Sequence, residues 1–172
     1  VYIVTSKNYK QIAYVALVPF IVITLSNFQL ENEKAASAIN EIKLETTTGD
    51  MYSLQQQEEE IIIANFFATW CPPCKAEMPH LQSFAENLPN DAELIGVNLT
   101  ARDDGERKLK QFIEQYGVTY PILLDVDDTY GDGYGVLSMP TTVILKDGKE
   151  VERIVGPVSE ETLGKLVKQY EK

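Results

Sequence analysis

Seven residues, Ile61-Ile62-Ile63-Ala64-Asn65-Phe66-Phe67, run with a single polar break, and after Ala68 and Thr69 comes Trp70-Cys71-Pro72-Pro73-Cys74. A short run this rich in β-branched and aromatic side chains reads as a strand buried on both faces. From Cys74 to about Asn87, Leu81, Phe84, Ala85 and Leu88 recur at helical spacing. The two cysteines therefore sit between a buried strand and its helix. That is the C-terminal end of the strand, where open α/β sheets place their sites.

The rest of the chain extends this pattern. Residues 93–98 (ELIGVN) read as a second strand. Glu106 to Tyr116 reads as an amphipathic helix with Leu109, Phe112, Ile113 and Tyr116 on one face. Residues 120–124 (YPILL) give a short strand and Thr141 to Leu145 another. Lys146-Asp147-Gly148-Lys149 is a hairpin turn, from which Val151 to Val155 return. Ser159 caps a last helix with Glu160, Glu161 and Thr162 in its first turn. Upstream, residues 42–46 alternate like a strand, Thr48-Gly49-Asp50 turns, and Met51 to Leu54 pair back as a short hairpin. Alternating strands and helices imply a central sheet with helices on both faces.

The N-terminal stretch is different. Residues 12–23 (IAYVALVPFIVI) are uniformly apolar, and Thr24 to Phe28 extend the run without a charge. Lys7 and Lys10 precede it, while Glu31 and Glu33 follow, the polarity of a segment that leaves its N-terminus in the cytoplasm. About 17–19 such residues nearly span a ~30 Å hydrocarbon core. The expected organisation is a cytoplasmic N-terminus (1–10), a transmembrane signal anchor (11–28), a tether (29–40) and one domain (41–172). A cleaved signal peptide competes, since Ala36-Ser37-Ala38 offers a cleavage site. We take the anchor, because charged residues separate that site from the apolar run. Either reading puts the domain on the extracytoplasmic side of the cell membrane.

The chain has only these two cysteines, three positions apart, so a bond between them would close almost no loop. A closed structural zinc site wants about four Cys or His ligands, against two Cys and the single His80 here. The formal net charge of −11 argues against nucleic-acid binding, which needs clustered Lys and Arg. In this context the C-x-x-C pair reads as a redox dithiol. At a helix N-terminus, free N–H groups and the macrodipole favour the thiolate. Cys71 would hold the exposed attacking position, and Cys74, one turn along, the shielded resolving one. Pro72 and Pro73 fit the first helical turn but donate no hydrogen bond. The Cys74 N–H is then expected to be the main local backbone donor to the Cys71 sulfur.

Residues 65–79, NFFATWCPPCKAEMP, resemble the active-site stretch of membrane-anchored thioredoxin-like proteins of the TlpA/ResA type. The resemblance covers roughly residues 40–170. It implies a thioredoxin-like α/β fold with an N-terminal β-hairpin and a central insertion, the latter spanning Leu94 to about Tyr134. It also implies roles by position. Cys71 matches the nucleophile and Cys74 the resolving thiol. Glu77 matches an acid thought to assist proton transfer and is taken in that role; a first-turn acid stabilised by the helix dipole is the alternative. Met139-Pro140-Thr141 matches a loop whose cis-proline receives the substrate backbone, and Trp70 shapes that contact surface. Asn65 falls where ordinary thioredoxins carry a buried Asp. His80 receives no role.

The implied function is reduction of disulfides in exported proteins, such as the C-x-x-C of apocytochrome c or spore-envelope proteins. No cofactor is expected beyond the Cys71–Cys74 couple, and a membrane electron donor would recharge it. The protein is expected to be a monomer. A disulfide-forming oxidase or isomerase is the main rival, since direction depends on potential. A peroxidase fits poorly: that class needs Thr or Ser three residues before the reactive cysteine, where this chain has Ala68. A copper-binding module fits poorly too, as no His follows His80. Arg102-Asp103-Asp104-Gly105, with Asp125, Asp127 and Asp128, reads either as solvated loop or as a determinant of client choice.

Overall fold

The computed structural model describes residues 42–55 and 60–171. The expected anchor and tether lie outside the described residues, among which no helix is long and apolar enough to cross a membrane.

Strand β3 (Ile61–Phe67) is buried at every position. Its side chains alternate between two cores: Ile61, Ile63 and Phe67 enter one, Ile62, Ala64 and Phe66 the other. This two-faced burial is what its unbroken apolar composition demands. Five strands form the main sheet in the order Ile122–Leu124, Ala92–Asn98, Ile61–Phe67, Thr141–Lys146, Lys149–Val155. Strands β4 (Ala92–Asn98) and β5 (Ile122–Leu124) run parallel to β3. Strand β6 (Thr141–Lys146) pairs antiparallel with β3, and β7 (Lys149–Val155) antiparallel with β6. The β6–β7 turn places Asp147 and Gly148 at φ 49° and 71°. Both values are positive, as a tight hairpin turn requires, and Asp and Gly tolerate them.

Helices α1 (Pro72–Ala85), α2 (Glu106–Tyr116) and α4 (Glu160–Tyr170) pack on one face, through residues such as Met78, Leu81, Phe112 and Leu163. The other face differs from expectation. It is covered by the five-residue helix α3 (Thr129–Gly133) and by Ile42, Leu44, Tyr52 and Leu54 in and around the β1–β2 hairpin. That hairpin pairs Leu44–Glu45 with Met51–Tyr52. It is tied to β5 by a Thr46–Leu123 bridge and by the Thr47 N–H donating to the Ile122 carbonyl at 3.0 Å. The hairpin thus substitutes for a second layer of helices.

The stretch from Leu94 to Tyr134 begins inside β4, which belongs to the central sheet. The segment that widens the fold starts after Asn98: a 3-10 turn (Thr100–Arg102), α2, and the edge strand β5. Helix α4 is capped as expected, the Thr162 N–H donating to Ser159 Oγ at 3.2 Å.

Candidate active site

Because β6 runs antiparallel to β3, the start of β6 lies beside the end of β3. Phe66 pairs with Thr141 and Asn65 with Thr142. That register brings residues 139–141 to the mouth of the β3–α1 junction, across 68 positions of sequence. The Met139–Pro140 peptide bond is cis. The Thr141 hydroxyl donates to the Ser138 carbonyl at 2.7 Å, and the Gly156 N–H to the Pro140 carbonyl at 2.8 Å. These two bonds hold the loop from both sides.

Cys71 and Cys74 are joined as a disulfide with Cα atoms 5.3 Å apart. Cys71 is the N-cap of α1, and the Cys74 N–H donates to Cys71 Sγ at 3.2 Å. That is the donor expected once Pro72 and Pro73 occupy the first turn. The same sulfur lies 3.6 Å from the Met139 carbonyl oxygen. The two contacts oppose each other: the N–H favours a thiolate, while the carbonyl favours the protonated thiol. The expected exposure of Cys71 is not found in this oxidised state, where Cys71 is 2% and Cys74 0% exposed. The Met139 carbonyl overhangs the sulfur. Exposed in the flanking chain are Trp70, next to Cys71, at 47% and Leu137, two residues before Met139, at 96%.

Glu77 lies one turn beyond Cys74 on the same buried face of α1. It is the sixth residue of the helix, so the first-turn reading does not apply, and it is 1% exposed. Asn65 Nδ2 donates to its Oε1 at 2.9 Å and the Val158 N–H to its Oε2 at 3.0 Å. Asn65 also donates to Thr142 Oγ1 at 3.1 Å. Burial pushes the Glu77 carboxyl up to about 7, and the two donated bonds hold it back from rising further. Such a group changes protonation near neutral pH, which suits proton transfer. Its neighbour Tyr120, itself pushed up by burial and by the Glu77 charge, donates to Met78 Sδ at 3.4 Å. A cleft of about 240 Å³ lined by Ala76, Glu77, His80, Pro157, Val158 and Ser159 opens toward the carboxyl. His80 is exposed on the helix surface.

Residues 35–154 match the AhpC/TSA family. The chain belongs to that family. It is 31% identical over 133 residues to thiol-disulfide oxidoreductase ResA of Halalkalibacterium halodurans, covering 75% of this chain and 73% of that protein. It is also 31% identical over 135 residues to sporulation thiol-disulfide oxidoreductase A of Bacillus subtilis, covering 77% and 80%. The crystal structure of StoA from Bacillus subtilis superposes with a TM-score of 0.68 at 28% identity, covering 73% of this chain and 95% of that one. The protein is therefore a thioredoxin-like thiol–disulfide oxidoreductase of the ResA/StoA type. Within the family a peroxidase remains ill matched, since the position three residues before Cys71 is Ala68, fully buried.

In the loop after β4, Asp104 is solvent-exposed, as is Asp127 further on, whereas Asp103 and Asp125 are bonded into the structure. Asp103 Oδ2 accepts from the Thr69 N–H at 2.9 Å and from Asn98 Nδ2 at 2.5 Å, and its Oδ1 from the Thr69 hydroxyl at 2.6 Å. Asp125 is fully buried, accepting from the N–H groups of Tyr130 and Gly131 at 3.2 and 2.7 Å. Burial pushes its carboxyl up, against those N–H bonds. It serves α3 as an N-terminal cap set back from the helix. No local sequence signal marks these bonds, because the partners of Asp103 and Asp125 lie on other elements.

Proposed function

We propose that the protein reduces disulfides of exported proteins on the extracytoplasmic side of a membrane, through Cys71 and Cys74. The observation that carries this is the Cys71–Cys74 disulfide at the start of α1, with the buried carboxyl of Glu77 one turn deeper. In the reduced protein, the Cys71 thiolate attacks one sulfur of a client disulfide. A mixed disulfide forms, and the first client sulfur leaves as thiolate. Cys74 loses its proton and attacks Cys71 Sγ, which releases the second client thiolate and closes the Cys71–Cys74 bond. Two electrons pass to the client, and its two sulfurs take up two protons. Glu77 is assigned as the acceptor for the Cys74 proton because it lies one turn along on the same buried face of α1 and burial pushes its carboxyl up to about 7. Trp70 and the Met139-Pro140-Thr141 loop receive the client backbone. A dithiol donor in the membrane returns the electrons.

The relatives' names bear on the client. One relative is a sporulation oxidoreductase. That name makes spore-envelope proteins one client to try, and the C-x-x-C of apocytochrome c is the other that the sequence resemblance implies. Equilibrating the protein with glutathione and dithiothreitol buffers tests the direction. A potential of about −270 mV or lower supports a reductase, whereas about −120 mV marks an oxidant and overturns the reading.

A further inference from the structure

The two sides of the dithiol mouth belong to different elements. One is Thr69-Trp70, at the end of β3. The other is residues 136–140, which lead into β6. Adjacent residues of the loop after β4 grip both. On the first side, Asp103 takes the Thr69 N–H and hydroxyl, and the Arg102 carbonyl takes the indole N–H of Trp70 at 2.9 Å. On the second side, Arg102 Nη1 donates to the Val136 carbonyl at 2.7 Å. Its Nε donates to Asp128 Oδ2 at 2.8 Å, its Nη2 bonds the same oxygen, and Nη2 also reaches Asp132 Oδ1 at 3.2 Å. Val136 is 1% exposed, while Leu137, the next residue, is 96% exposed. A planar guanidinium can make this three-way grip because its donors are fixed in a fork; an ammonium has no such geometry.

We propose that Arg102 and Asp103 are positioning residues that set the gap between Trp70 and the Leu137–Pro140 loop, and thereby select an extended polypeptide for attack by Cys71. Neither residue touches the sulfurs. Their effect appears with a client that must lie across both sides, and is small with a reagent that needs only access to a sulfur. A change in seating of this kind acts on rate through orientation.

The proposal rests on exchange at Cys71–Cys74, but not on its direction. The test uses the full chain, with second-order exchange rate constants read by acid quench and alkylation. The two probes are dithiothreitol and a synthetic Cys-Ala-Ala-Cys peptide, each presented in its reduced and its oxidised form. For Arg102→Ala the ratio of peptide to dithiothreitol rate constants falls about tenfold, and the reduction potential stays at the wild-type value. Emission from Trp70, the single tryptophan, shifts as its carbonyl anchor moves. Arg102→Lys keeps the charge but not the fork, and lowers the ratio about threefold; it also serves if Arg102→Ala does not fold. An unchanged ratio in both variants overturns the positioning role alone. A wild-type protein inert to both probes overturns the exchange reading together with this one.

Discussion

At the scale of single residues, Glu77 is where burial and chemistry meet. An ionised carboxylate at 1% exposure is tolerated here because Asn65 and Val158 each give it one donor, yet burial still prevails and lifts it to about 7. The sign follows. Unfolded, the group titrates near 4.5, so between 4.5 and 7 the native state holds a proton that the unfolded state has lost. The stabilisation is complete below 4.5 and disappears as pH rises through 7. The gap corresponds to about 3 kcal/mol. Glu77→Gln removes the titration. The wild-type unfolding free energy minus that of Glu77→Gln is therefore expected to fall by about 3 kcal/mol between pH 4.5 and 8, in urea titrations at each pH. A flat difference would mean that the carboxyl is hydrated through the cleft beside His80. Cys71 and Cys74 could be located from sequence because their signals are local, a strand run and a C-x-x-C, and Glu77 came with the resemblance of the stretch around them. Arg102 and Asp103 could not. Apart from Asn98, five positions before Asp103, their partners on other elements stand 26 to 34 positions away, and an Arg-Asp-Asp-Gly string has the same local signature whether it is solvated or bonded.

At the scale of elements, the start of α1 decides the reactivity of the dithiol. Two prolines leave the Cys74 N–H as its backbone donor to Cys71 Sγ, and the Met139 carbonyl acts against it. Pro72→His restores a backbone N–H at the first turn and adds a side chain that carries positive charge when protonated. The Cys71 thiol pKa is expected to drop, measured by the pH dependence of alkylation, and the reduction potential to rise. An unchanged pKa would show that the missing donors do not control this thiol. Helix α3 is the element that periodicity missed. Its sequence, TYGDG, has two glycines in five residues, among the poorest helix formers. It exists because the buried Asp125 receives its N–H groups and because Asp128 is held by Arg102. A Cβ at Gly131 would run into Asp128 Oδ1 and lie 3.0 Å from Leu99 Cδ2. Gly131→Ala is accordingly expected to cost about 1–3 kcal/mol by denaturant midpoint. It should also displace Asp128 and lower the peptide-to-dithiothreitol ratio, as Arg102→Ala does. A normal ratio in a destabilised Gly131→Ala protein would separate α3 packing from the grip on the mouth.

At the scale of the whole molecule, the compartment decides what the dithiol can do. In the cytosol, glutathione and thioredoxin keep such pairs reduced, whereas outside it disulfides persist and no soluble thiol pool recharges a reductase. A reductase fed by a membrane donor therefore has work only if the domain stands outside and close to the bilayer. The apolar run at 12–23, with Lys7 and Lys10 before it and Glu31 and Glu33 after, supports that arrangement. The expectation is checked in cells that express the full chain. The protein should stay in the membrane pellet after alkaline carbonate washing. In intact spheroplasts, a membrane-impermeant maleimide should label the cysteines once external reductant has opened the disulfide. Labelling only after lysis would reverse the orientation and move the client pool to the cytosol. A shortened, soluble product that still labels in intact cells would replace the anchor with a cleaved signal peptide ending near Ala38. The dithiol would then meet its membrane donor by diffusion from the soluble phase rather than from a tether.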